Sequence, residues 1–147
     1  MINIKTEITI NAPKAKVWSV LTGFADYNRW SKVITDMNGY PQKGKTLTLT
    51  VHPLPGVGLP IPECEITVCS EEKGELRWQG PSIPVVKDVI SANHYFYVES
   101  ISENKTRFIH CEDFDGWITP VLKPLLEAQL PELYAEFNKE LKAEAEK

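Results

Sequence analysis

The chain has 147 residues, 42% hydrophobic and 24% charged, with a formal net charge of −4. That length suits one domain, residues 1–147, able to remove roughly two-thirds of its unfolded surface from water, and the composition is globular rather than disordered. The acidic balance, with no run of Lys or Arg, argues against nucleic acid or an anionic membrane as main partner, and no apolar stretch approaches the ~20 residues that cross a bilayer.

Residues 2–11 alternate, with Ile2, Ile4, Ile8 and Ile10 on one face and Asn3, Lys5, Glu7 and Thr9 on the other. This is the pattern of a half-buried strand, and its early start leaves no room for a signal peptide. Ala12-Pro13 opens a helix, because proline suits a first turn where its missing N–H is not needed. Val17, Val20, Leu21 and Phe24 form the buried stripe, and Gly23 is the stop. FADYNRW then reads as a short second helix, with Phe24, Tyr27 and Trp30 at three-residue spacing.

TLTLTV is a one-sided strand in which Leu47, Leu49 and Val51 alternate with threonines. HPLPGVGLPIP carries four prolines and two glycines, so it is expected to be a loop and not a central strand. ECEITVCS and ELRWQG make a hairpin around Glu72-Lys73-Gly74, with Ile66, Val68, Leu76 and Trp78 inward. A second long loop, GPSIPVVKDVI, precedes the strands ANHYFYVES and TRFIHCEDF. From Pro120 the period becomes helical. Leu122, Leu126, Leu130, Leu133, Phe137 and Leu141 share a stripe, and Pro124 and Pro131 are expected to bend or break the helix. Three cysteines is an odd number, and Cys64 and Cys69 differ in parity within one strand. Free thiols in a reducing cytoplasm are the expectation.

The order is strand, two helices, about six strands and a long terminal helix. Short connections imply an antiparallel sheet, whose apolar face that helix must cover.

KTEITINAPKAKVWSVLTGFADYNRW, LRWQG, the HYF strand and TRFIHCEDFDG resemble the helix-grip superfamily, which holds polyketide cyclases, START lipid-transfer domains and the birch-pollen-allergen fold. The nearest likeness is to bacterial polyketide cyclase/dehydrase-like proteins. The resemblance spans nearly the whole chain. It implies an α+β helix-grip fold: a curved antiparallel sheet of six to seven strands wrapped around the C-terminal helix, with two short helices after the first strand. It also implies a hydrophobic cavity for a small aromatic or lipid-like molecule, and no universal catalytic residue. That group often carries Asp in the turn after the first helix and Asn-Pro after the Trp, where this chain has Gly23 and Ser31-Lys32.

The site follows from strand parity. His94 shares a face with Phe96 and Val98, and His110 and Glu112 share one with Phe108 and Phe114. Titratable groups on an apolar face are costly unless paired or wet. They are therefore either a satisfied polar cluster that sets strand register or the polar end of an oily cavity, orienting a ligand hydroxyl or carbonyl. In a catalytic version, Glu112, His94 or His110 exchanges protons with a substrate, as aldol-type cyclisation requires. Trp30, Trp78, Phe96, Phe114, Tyr134 and Phe137 form an aromatic wall, read first as core packing, with Trp78 and Phe96 the candidates for cavity lining. The expected ligand-binding set is Trp30, Trp78, His94, Phe96, His110, Glu112, Phe114, Leu133 and Phe137.

Two His, Glu112 and Cys64 supply four ligating types, but no CxxC or HExxH spacing supports a metal, and no metal or cofactor is expected. Cys111 and His52 are read as outward-facing, Trp117 as a packing anchor, and the proline-rich segment as a lid. The first functional reading is binding of a small hydrophobic molecule. The alternatives are a cyclase, dehydratase or aromatase, or an interaction module like the chaperone activators of similar fold. Oligomeric state is left open between monomer and homodimer.

Overall fold

The computed structural model describes residues 1–147. Its strands are β1 (Ile2–Ile10), β2 (Ile34–Asn38), β3 (Thr46–Leu54), β4 (Val57–Ser70), β5 (Glu75–Gly80), β6 (Ser91–Ser102) and β7 (Lys105–Asp115). The helices are α1 (Lys14–Thr22), α2 (Tyr27–Trp30), α3 (Val86–Val89) and α4 (Thr119–Ala145), with a 3-10 turn at Phe24–Asp26. All strands join one antiparallel sheet in the order β1-β7-β6-β5-β4-β3-β2. The sheet curls around α4, the helix-grip arrangement.

Local sequence accounts for most of these elements. The alternation in β1 buries Ile2, Ile4 and Ile10 and leaves Asn3 and Lys5 outside. Pro13 caps α1 with extended backbone, and its carbonyl accepts from Lys16 and Val17. Val17, Trp18 and Leu21 are the buried stripe of α1, whereas Val20 is half-buried. Gly74 closes the β4–β5 turn at φ +65, a left-handed conformation, and a Cβ there would lie 2.2 Å from the Val98 carbonyl oxygen. Only glycine fits that turn.

Four expectations need correction. Residues 53–62 are not a loop: the end of β3 and the start of β4 pair as a two-stranded arm, with Thr50 opposite Pro60 and Leu54 opposite Val57. Over this stretch β4 has only β3 beside it, and β3 has β2 beside it only as far as Val51, so a proline lacking its N–H leaves no second ladder stranded. Pro124 and Pro131 do not break α4, which runs unbroken from Thr119 to Ala145. The carbonyls they leave without a donor belong to Pro120 and Glu127, both exposed, so water serves them. A register shift between Ile66 and Val68 resets parity, so Cys69 opposes Leu76 and packs on the main core, the side Cys64 also faces. Extra residues of this kind escape a strict period-2 reading. Trp117 is no anchor, being 71% exposed. Cys111 has the outward parity expected of it yet is buried. The loop after β5 also holds the single turn α3.

The core divides in two. A large cluster joins α1 and the C-terminal half of α4 (Phe137, Leu141, Ala145) to β3–β7. A small one joins Ile2, Ile4, Phe114 and Tyr134, with half-buried Leu126, Leu130 and Leu133 packed against it.

Candidate functional site

The polar row of interest lies where the two clusters meet. Across the concave face, register places Ile66, Trp78, His94, Glu112 and Ile4 side by side on β4, β5, β6, β7 and β1. The next row is Leu76, Phe96, His110 and Thr6. A two-residue irregularity between Ser100 and Ser102 supplies the offset that parity demanded in the β6–β7 hairpin. Every group in question points inward: His110 is fully buried, His94 nearly so, and Glu112 is 8% exposed.

These polar groups satisfy one another. Glu112 Oε2 lies 3.3 Å from His94 Nδ1. His94 Nε2 faces His110 Nε2 at 2.7 Å, and His110 Nδ1 meets Asn138 Oδ1 of α4 at 2.9 Å. Asn138 Nδ2 donates to Thr6 Oγ1 at 2.9 Å, and the Thr6 hydroxyl in turn approaches the His110 carbonyl at 3.4 Å. No fully buried side-chain nitrogen or oxygen is left without a partner. The 2.7 Å between imidazole nitrogens is a hydrogen bond. It falls short of the ~3.3 Å that two nitrogens bound at ~2.05 Å to one tetrahedral zinc would keep.

Aromatic rings pack around this chain. His94 stacks on Trp78 (4.9 Å) and meets His110 edge to edge through their hydrogen bond (4.8 Å between ring centres), and His110 stacks on Tyr134 at 4.3 Å. Phe96 lies 4.7 Å from His110, and Phe137 meets it edge-on at 5.4 Å. At this level the space between sheet and helix is filled by rings, where an open gap had been expected.

Burial without a counter-ion pushes the His110 imidazole well below its ordinary range, and charge on His94 pushes in the same direction. Burial, and then the nearby Glu112 carboxylate, raise the Cys64 thiol to about 12. Cys64 is therefore protonated at neutral pH and a poor nucleophile.

Six of the nine expected residues converge here: Trp78, His94, Phe96, His110, Glu112 and Phe137. Trp30 sits away from the chain, half-buried against Tyr27 (4.6 Å) and Phe137 (5.6 Å). Phe114 belongs to the small cluster, and half-buried Leu133 touches both clusters. Asn138 and Thr6 were not foreseen. Both carried a signal, since Thr6 is the polar member of the face of Ile2, Ile4, Ile8 and Ile10, and Asn138 adjoins Phe137 on the buried stripe.

The family model for polyketide cyclase / dehydrase and lipid transport matches residues 1–146. The chain belongs to that family. Among solved structures, the ZhuI aromatase/cyclase from Streptomyces sp. R1128 aligns at TM-score 0.75 and 14% identity, covering 98% of this chain and 93% of that one. A hypothetical protein from Helicobacter pylori aligns at 0.77 and 15%, covering 97% and 87%. Norcoclaurine synthase from Thalictrum flavum, solved with dopamine and hydroxybenzaldehyde, aligns at 0.69 and 11%, covering 96% and 84%. At such identities the likeness is one of fold. No curated protein matches the sequence. No helix is long and apolar enough to cross a membrane.

Proposed function

We propose that this family member binds a small, largely apolar molecule, aromatic or lipid-like, between the sheet and the first half of α4, with Glu112 and His94 facing its polar group. One observation carries the reading. A buried carboxyl–imidazole pair on the concave face borders a stretch of α4 whose Leu126, Leu130 and Leu133, packed on the cluster of Ile4 and Phe114, are only half-buried. A ligand there would complete the burial of those leucines, each large apolar group contributing about 1.5–3 kcal/mol before ordering costs. Because rings fill the level of His110, the ligand displaces side chains at the looser end instead of occupying a ready-made void. The family description and the aromatic molecules bound by norcoclaurine synthase support this reading.

A thermal-shift and native mass-spectrometry screen of aromatic and acyl compounds tests it. A stabilising ligand whose effect falls in Trp78→Ala is expected, and a broad panel without any shift would refute the reading. The contact between Glu112 and His94 also favours a second reading, a cyclase or dehydratase in which that pair moves protons. It requires turnover that disappears in Glu112→Gln while ligand affinity survives.

A further inference from the structure

The hydrogen-bond chain has a direction, and the direction decides where its protons lie. It ends on the backbone carbonyl of His110, which can only accept. The Thr6 hydroxyl donates to that carbonyl and accepts from Asn138 Nδ2. This orients the Asn138 amide so that Oδ1 faces His110, and Oδ1 can only accept. His110 Nδ1 therefore carries a hydrogen. With burial holding His110 neutral, its Nε2 is a bare lone pair. His94 Nε2 must then supply the hydrogen of the 2.7 Å contact. What remains is His94 Nδ1 facing Glu112 Oε2, two lone-pair atoms 3.3 Å apart unless one proton lies between them. That proton makes the pair either a neutral carboxylic acid with a neutral imidazole or a carboxylate with an imidazolium. The net charge is zero both ways.

We propose that Thr6, Asn138 and His110 form a one-way wire that closes on the backbone and leaves a single transferable proton on the Glu112–His94 pair, and that this pair recognises a neutral hydroxyl donor, a phenol, on an aromatic ligand. The recognition rests on the binding function proposed above. With the proton on Glu112, its O–H is engaged by His94 Nδ1, and the other carboxyl oxygen accepts from a ligand O–H. With the proton on His94 Nδ1, the Glu112 carboxylate accepts from a ligand O–H. Neither case draws a proton through the wire, because its far end is a carbonyl that holds none to exchange. A ligand carboxylate finds no net positive charge and meets the oxygens of Glu112. Asn138 and Thr6 are positioning residues, acting through the tautomer they impose on His110.

The test uses the full chain labelled with 15N in its histidine rings, alone and with three probes: methyl naphthyl ketone, naphthol and naphthoate. The free protein should show His110 with a protonated Nδ1 and a bare Nε2. Naphthol should bind at least tenfold tighter than the ketone or naphthoate and move the His94 ring signals, and Glu112→Leu should remove the tenfold preference. A His110 ring protonated at Nε2 would reverse the wire and overturn the inference, and this reading needs no variant to fold. Equal binding of all three probes, or a preference that survives Glu112→Leu, would overturn the recognition role while leaving hydrophobic binding intact. Binding of none of the three would count against both the recognition role and the binding function beneath it.

Discussion

The two halves of α4 face the same sheet and pack on it differently. From Tyr134 to Ala145 the helix buries Tyr134, Phe137, Asn138, Leu141 and Ala145. From Thr119 to Leu133 only Thr119 is buried, while Val121 is 76% exposed and Leu125 about half so. Side-chain ties follow the same division. Glu140 accepts from Ser31 Oγ and Lys32 N at 2.8 Å each, Lys142 donates to the Thr9 carbonyl, and Glu144 pairs with Arg29. The first half has the Trp117 and Ile118 amides on the Asp88 and Val89 carbonyls at its start. One end of this core is thus built for stability. The other is left incomplete beside the Glu112–His94 pair on the concave face, which is why the binding reading is placed there.

That contrast can be broken or sharpened by measurement. Phe137→Ala should cost about 3–5 kcal/mol in urea unfolding, as a fully buried ring lost from close packing, and a cost under ~1 kcal/mol would refute the tight assignment. Asn138→Leu should cost about 1–3 kcal/mol, because it strands His110 Nδ1 in a site from which water is excluded. His110 adds a pH dependence. Its folded value lies below the unfolded 6.5, so the unfolded chain binds a proton first, and stability present above about pH 6.5 falls as pH drops toward the folded value. The slope from this residue is at most about 1.4 kcal/mol per pH unit. The groups facing it are His94 from β6, Tyr134 and Asn138 from α4 and, one step on, Glu112 from β7. His110→Gln should flatten the slope between pH 6.5 and 5, and an unchanged slope would mean that His110 is not buried neutral. The smallest effect is expected at the looser end, where Leu126→Ala should cost about 1 kcal/mol or less while weakening ligand binding.

How much of this could be read from residues alone varies by element. Strand parity was enough to turn His94, His110 and Glu112 inward, because period 2 ties every side chain on a strand to one face, but it left His94 either beside Glu112 or one pair away, and the register puts the two opposite one another. It failed at Val68 and Cys69, where an extra residue resets the face. The arm at 53–62 was hidden because proline counts against a strand only where both edges are paired. Pro131 stayed within α4 because the cost of a proline depends on whether the freed carbonyl reaches water, which sequence spacing does not reveal. Asn138 was missed for a different reason: its role exists only once helix and sheet meet, and a lone polar residue next to Phe137 does not announce its partner.

The clamp formed by Glu140, Lys142 and Glu144 has a mechanical consequence. With the far end of α4 held, any tilt of the helix would pivot near Phe137. Phe137 and Thr119 are 18 residues apart, roughly 27 Å of helix at ~1.5 Å per residue, so a tilt of about 10° would carry the start of the helix some ~5 Å and α3 along with it. Trp117, already facing solvent just ahead of that moving end, is a built-in optical gauge of such a swing.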